Sequence, residues 1–549
     1  MATVGISRRS KWLVAARAVV CGLVAGILAT CYRQGIEYGT RFARWMYAQI
    51  GADPWLIAPW ALAAVLAGLF VAWLVRLEPM ASGSGIPQVE GVVRLGLNMR
   101  AGVVLVVRFA GGLLCGMFGL SLGREGPSVQ IGAAASQGAA RAMRGFRKGS
   151  ESDGAPKSRV SVIRRIRSMV SGHGESVGAD ADDGIGGKVG VKVSDAGSVD
   201  SDADGSLDAR AAGGDVSHTY DVRGNDDGNE VGQSASQVGH KESVGASSNG
   251  RAGAGGPKTA ETNVLVTAGA AAGLSAAFNA PLSGMMFALE EVHHSFSPAI
   301  LLSSAAAAMG ADIVSKYWFG LKPVLDFTRL AQLSLPQYWW MVPLGLVAGL
   351  VGVAMSKLLL ASQTLFNKLP WWARPVISLA VALPVGVFLP QVLGGGESLI
   401  GFAERSGALG TSLAALLVLL AAKMLFTSTS FGSGVPGGIF MPILAVGTLA
   451  GSACGVALHA VEFNGGPLVP ADVIPLFAVC AMAGTLTASV KAPMTSILLT
   501  VEMSGTLMHM LPVAACSFIA LMVSDLCGAD PIYDALLARY LSGHSKSTL

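Results

Sequence analysis

The chain has 549 residues, of which 52% are hydrophobic and 13% charged, against about a quarter charged in an average soluble domain. Residues 145–262 alone hold 32 of the 74 charged side chains, so the remaining sequence is poorer still in charge. This composition excludes a soluble multi-domain enzyme and predicts an all-α polytopic membrane protein. The net charge of +4 is small and unevenly spread, so nucleic acid is not an expected partner; the lipid bilayer is.

In chain order, apolar runs that predict membrane helices fall at 12–32, 55–76, 102–121, 127–143, 263–277, 281–292, 298–318, 338–367, 372–391, 408–428, 437–460, 472–489, 493–504, 506–527 and 531–541. Several are too short to span. A helix of 12 to 18 residues reaches about 18–27 Å, less than a hydrocarbon core of about 30 Å. Short helices broken by Gly and Pro predict elements that stop part way across the membrane, around an internal site. The first run resembles a signal peptide, but the many runs behind it favour a retained helix. The seven cysteines all lie in apolar segments without paired spacing, which predicts buried thiols rather than disulfides.

Charge reports topology. Nine Lys or Arg lie between 141 and 170 against Glu151 and Asp153, and Arg8, Arg9 and Lys11 precede the first run. The positive-inside rule places the amino terminus and the 145–262 segment in the cytoplasm. Residues 171–250 carry fifteen Asp or Glu, five Lys or Arg and one aromatic, Tyr220. Such a stretch buries too little apolar surface to offset its conformational entropy, so 145–262 is expected to be a disordered loop. The predicted organisation is a first membrane repeat in two parts, 1–144 and 263–320, split by that loop. A second repeat covers 321–541, and a short cytoplasmic tail 542–549.

The repeat is visible in the sequence. Ala280 to Glu290 matches Ala492 to Glu502 in pattern, with nine residues from Pro281 to Glu290 and from Pro493 to Glu502. Upstream of each lies a Gly-rich turn that opens a helix through a proline, Gly123 to Pro127 in one half and Gly432 to Pro442 in the other. Two homologous halves with broken helices at matching places point to a site at their interface.

Three Gly-rich segments sit at apolar helix starts: Gly83-Ser84-Gly85-Ile86-Pro87, Gly123-Arg124-Glu125-Gly126-Pro127, and Gly432 through Gly438 to Pro442. Gly permits the sharp turn and Pro suits the first helical turn. Each segment therefore presents unpaired backbone N–H groups within the membrane. Those groups and the positive helix end favour an anion by about 0.3–1 kcal/mol each, up to about 2 when partly buried. Partial charges of this size hold an anion without trapping it. Glu125, an ionisable group at an embedded helix start, is expected to be functional unless Arg124 pairs with it.

These segments closely resemble, in order and separation, the signature stretches of the CLC family of chloride channels and proton-coupled chloride transporters. The resemblance runs from about residue 12 to 541, interrupted by the long loop, and includes Gly394 to Ile400 and Asp530-Pro531-Ile532-Tyr533-Asp534. It implies a fold of two inverted-topology repeats with broken and re-entrant helices. It also implies a homodimer with one pathway per subunit, and a bacterial inner membrane as the location. Carried over, it implies a chloride site made by the Ser84 and Tyr533 hydroxyls and the backbone N–H groups of Ile439 and Phe440. Gly83, Gly85, Pro87, Gly123, Arg124, Gly126, Pro127 and Gly438 support it. A serine at the position of Ser84 goes with chloride, where proline goes with nitrate and methionine with fluoride export.

The resemblance makes Glu125 the external gating glutamate and Glu291 the internal proton-transfer glutamate. An acid at Glu291 goes with proton-coupled exchange, whereas channels usually have another residue. The repeat pairs Glu290 with Glu502 as structural carboxylates and sets Met503 opposite Glu291. Chloride/proton antiport is therefore expected, with chloride and protons as transported ligands and no cofactor, metal or enzymatic activity. A passive chloride channel is the alternative. A membrane metalloenzyme built on Glu290, Glu291, His293 and His294 is a distant one, since a second Glu-x-x-His is missing. The chain ends soon after Tyr533, so a nucleotide-binding module is not expected.

Overall fold

The computed structural model describes residues 8–153, 257–327, 330–404, 411–463 and 466–545. The described residues form α1 (Arg8–Ala52), α2 (Ile57–Leu77), α3 (Ile86–Leu95), α4 (Ala101–Met117), α5 (Glu125–Asp153), α6 (Pro257–Phe278), α7 (Pro281–Phe287) and α8 (Pro298–Phe319). The second half adds α9 (Met341–Phe366), α10 (Ala373–Phe388), α11 (Glu397–Glu404), α12 (Leu413–Gly432), α13 (Phe440–His459), α14 (Ile474–Val490), α15 (Pro493–Ser504), α16 (Met510–Leu526) and α17 (Ile532–Ser545). Extended pairing among the described residues is slight: a two-residue antiparallel ladder, Glu462–Phe463 with Gly466–Pro467, and a bridge between Gly123 and Gly438.

Eight helical segments among these residues are long and apolar enough to cross a bilayer. Their outward faces are apolar too: Leu62, Leu66, Phe70 and Trp73 of α2 are all exposed. A surface of this kind is stable only against lipid. At the opposite extreme the span Ala471–Val490, which contains α14, is completely buried among α9, α13 and α16.

The two halves are built alike. In each, a long helix is followed by one residue with positive φ, an extended Ala and a Pro-initiated short helix. Asn279 (φ 55°) and Lys491 (φ 62°) take the left-handed position. Ala280 (φ −129°, ψ 78°) and Ala492 (φ −115°, ψ 79°) follow them. The starts of α7 and α15 then cap one another across the molecule. The Glu502 carboxylate accepts from the backbone N of Leu282 (3.1 Å) and Ser283 (2.7 Å) and from the Ser283 hydroxyl. The Glu290 carboxylate accepts from the backbone N of Met494 (3.2 Å) and Thr495 (2.7 Å) and from Thr495 Oγ1 (2.8 Å). Such reciprocity requires a pseudo-two-fold relation between the halves. The antiparallel bridge repeats it, with Gly123 N donating to Gly438 O and Gly438 N to Gly123 O, both at 2.8 Å. The fold is thus two inverted repeats with broken helices meeting at their ends.

Four boundaries differ from the sequence reading. The first helix runs on from the apolar stretch to Ala52, 45 residues in all and about 68 Å. Arg33 and Glu37 continue it as an i, i+4 ion pair (3.3 Å), so a change of polarity marks a change of face and not an end. Helix also occupies the edges of the segment expected to be loop, since α5 reaches Asp153 and α6 starts at Pro257. Composition locates where apolar character stops, and a helix can pass that point. Residues 154–256, with their expected disorder and the basic residues from Lys157 to Arg167, lie outside the described residues. Finally, α17 continues into the expected tail as far as Ser545, and residues 546–549 lie outside the described residues.

Candidate anion and proton pathway

The Ser84 turn is assembled from glycine. Gly83 (φ 63°) and Gly85 (φ 94°) both take the left-handed region, and a Cβ at Gly85 would meet the Arg108 guanidinium at 2.7 Å. Ser84 is held between them just before α3, with Pro87 in its first turn. Opposite stands Tyr533, buried at the start of α17, with its ring stacked on Phe440 at 6.0 Å and 16°. Its hydroxyl faces Ser84. Neither hydroxyl has a hydrogen-bond partner among the described residues, although both are buried. Ile439 and Phe440 open α13 at the same place and are fully buried. The leading amides of a helix have no intrahelical acceptor. The four residues expected to bind an anion are therefore drawn from α3, α13 and α17 to one spot.

The bridge between Gly123 and Gly438 brings the start of α5 beside that of α13. Gly126 lies so close to Ser84 that a Cβ there would meet the Ser84 hydroxyl at 2.5 Å, and one at Gly438 would meet Gly126 N at 2.9 Å. Glu125, wholly buried, turns its carboxylate between these glycines, against the backbone N–H groups of Met441 and of Glu125 itself. Among the described residues no side chain hydrogen-bonds to it. Arg124 points elsewhere, forming ion pairs with Glu37 (3.1 Å) and Glu397 (2.7 Å). Pairing within the Arg124–Glu125 dipeptide is thus replaced by two acids from α1 and α11, about 90 and 270 residues distant in sequence and beyond the reach of motif reading.

Each side of the site has a cavity. One of about 220 Å³ is lined by Glu37, Arg41, Arg44, Arg124, Glu125 and Glu397. The other, about 380 Å³, reaches Ser84 and Pro87 between Gln88, Arg374, Arg539 and Tyr540. Buried hydroxyls, helix amides and one carboxylate therefore lie between the two cavities.

Glu291 lies elsewhere, in a π-helical turn, Ala288–Val292, that follows α7. The wider turn directs Glu290 outward to α15 while Glu291 is buried against α3. The charged groups near it are Glu90 of α3, Asp534, Glu290 and Arg94. Since Glu290 is committed to capping α15, the di-metal arrangement loses one of its four proposed ligands.

Two participants escaped the sequence reading. Arg108 in α4 is completely buried; it donates to Gly83 O (2.5 Å), Ser82 O (3.4 Å) and the Gln130 side chain. These acceptors are neutral, so a full positive charge backs the Ser84 turn from behind its own backbone. An Arg inside an apolar 17-residue helix was the available signal. Glu90 is the second, an acid three residues beyond Pro87 that becomes fully buried.

The family model described as "Voltage gated chloride channel" matches residues 67–162 and 231–525. Among curated relatives, an H(+)/Cl(-) exchange transporter of Yersinia pseudotuberculosis is 27% identical, over 98% of this chain and 90% of that protein. One of Vibrio parahaemolyticus is 28% identical, over 95% and 89%. Among solved structures, a slow cyanobacterial Cl−/H+ antiporter aligns with TM-score 0.69 and 21% identity, covering 96% of this chain and 98% of that one. A CLC-type fluoride/proton antiporter aligns with TM-score 0.58 and 17% identity, covering 94% and 96%. Two inverted repeats joined through glycine, the converging helix starts and a family match over most of the length lead to one conclusion: this chain belongs to the voltage gated chloride channel (CLC) family of multi-pass membrane proteins.

Proposed function

We propose that the protein exchanges chloride for protons across a bacterial inner membrane, as a homodimer with one pathway in each subunit and the amino terminus in the cytoplasm. The observation that carries the reading is the pair of buried, unpartnered hydroxyls of Ser84 and Tyr533 beside the amide end of α13. Dehydrated chloride needs several weak donors, and hydroxyls and amides supply them. Arg108 adds an attraction attenuated by the turn between them. The curated relatives named as H(+)/Cl(-) exchangers support coupling to protons.

In this reading Glu125 competes with chloride. Its carboxylate lies against helix amides that suit an anion; protonation removes the charge, the side chain leaves, and chloride takes its place. Glu291 takes protons from the cytoplasmic side at the end of the π-turn. The acid at this point favours exchange over passive conduction, since a channel has no need for an ionisable group buried off the anion path.

Flux from proteoliposomes tests the proposal. A chloride gradient is expected to drive protons uphill in the wild type. Chloride current reversing at its Nernst potential with no proton movement would replace exchange by conduction. Loss of bromide density beside Ser84 and Tyr533 in bromide-soaked crystals would remove the anion site itself.

A further inference from the structure

His294 occupies a position where the backbone favours glycine. Its φ is 50°, and it closes the π-turn with His293 N donating to Ala288 O (3.1 Å) and Ser295 N to Leu289 O (3.2 Å). Helix-terminal turns of this shape usually place Gly or Asn at the left-handed residue, and other side chains are disfavoured there. The imidazole that occupies it is about one-third exposed, and Nε2 lies 3.6 Å from Glu90 Oε1. Glu90 has no exposure, and its other oxygen, Oε2, is buried without a hydrogen-bond partner among the described residues. The helix α3 that carries Glu90 packs against the π-turn that carries Glu291, and both carboxylates are buried there. A line of ionisable groups thus runs from solvent, through His294 and Glu90, to Glu291.

We propose that His294 is the port through which cytoplasmic protons enter this line. The inference rests on the exchange reading above. Hydronium in the cytoplasmic water protonates the free imidazole and becomes water; the imidazolium Nε2–H passes its proton to Glu90 Oε1, leaving neutral imidazole and a neutral carboxylic acid. Glu90 then gives that proton to the Glu291 carboxylate and returns to its ionised form beside Arg94. The 3.6 Å gap is just beyond hydrogen-bond length, and a small rotation of a partly exposed ring closes it. Imidazole suits the step because its ordinary titration range lies near neutrality. The other groups facing His294 are Arg94, which is ion-paired to Glu90 and lies 3.6 Å from Asp534; Asp534 itself; and His293. Arg94 cannot release a proton, so it takes no part in the relay.

The test uses full-length protein in proteoliposomes, with His294→Gly and His294→Asn, both of which the left-handed backbone accepts. Coupled proton flux is expected to fall about tenfold or more in both, with a changed dependence on pH, and to recover when millimolar imidazole is added. In a Glu291→Gln background, where chloride moves without protons, His294→Gly is expected to leave chloride flux unchanged. Wild-type rate and pH profile in His294→Gly would overturn the proposal, as would a loss that imidazole does not rescue. So would loss of proton flux in Asp534→Asn with none in His294→Gly. Absence of uphill proton movement in the wild type would instead overturn exchange itself.

Discussion

The two halves of the molecule can be laid on each other through the Gly123–Gly438 bridge, and their differences are more informative than their likeness. Residues that match do the same structural work: Asn279 and Lys491 turn the chain, and Glu290 and Glu502 cap the opposite helix. Two pairs do not match. Glu125 opens α5 where Phe440 opens α13, and Glu291 is buried where its counterpart is the equally buried Met503. One helix start thus offers its amides to an anion while the other carries a carboxylate of its own. Symmetry builds the frame, and its two acidic exceptions fall at the candidate gate and the candidate proton acceptor.

Breaking the exceptions is expected to have the largest effects. Glu125→Ala should abolish uphill proton movement and leave chloride flux without pH dependence, as read by paired chloride and pH electrodes on liposome suspensions. Glu291→Gln should stop proton movement while chloride still flows. If both variants retained coupled exchange, the asymmetric acids would be structural like their symmetric neighbours.

Breaking the symmetric caps should cost stability instead. Glu290→Ala and Glu502→Ala each strip three hydrogen bonds from a helix start, which predicts a loss of about 2–3 kcal/mol apiece. Equal loss is the point: thermal unfolding in detergent should show shifts of similar size, and a strongly unequal pair would mean the reciprocal caps are not equivalent. A smaller effect is expected at the anion site, where Tyr533→Phe or Ser84→Ala removes one donor to a charged ligand. That is about 1.5 kcal/mol, or about tenfold weaker chloride binding by calorimetry. The smallest belongs to Lys491→Gly. Relief of the left-handed backbone, about 1 kcal/mol, offsets the loss of an ion pair with Asp525 at 2.6 Å that is worth at most about the same. A large change there would show that Lys491 does more than turn the chain.

Much of this was legible in the linear chain because it is local. Gly83 to Pro87 and Gly123 to Pro127 encode turns and helix starts within five residues each, and the match of Ala280–Glu290 with Ala492–Glu502 exposes the repeat. Polar continuations were harder. The second half of α1 carries Arg33, Glu37, Arg41 and Arg44, which hydropathy reads as the end of a membrane helix. In the fold they line the cavity in front of Glu125 or brace its wall.

What the amino-acid order determined by itself was membrane residence, the doubled architecture, the placing of glycine and proline at helix starts, and the break in the repeat at Glu291 and Met503. All of these depend on neighbours in the chain, where sterics and burial act residue by residue. Only the tertiary structure decided the partners: Arg124 with Glu37 and Glu397, Arg108 behind the Ser84 turn, Glu502 on α7, and His294 beside Glu90. Most of these contacts join groups more than eighty residues apart, and even Arg108 and Gly83 are 25 residues apart, one in a helix and the other in a turn. A charge buried away from water takes whatever counter-charge or donor the packing brings within a few ångströms, and that choice is written in no local pattern.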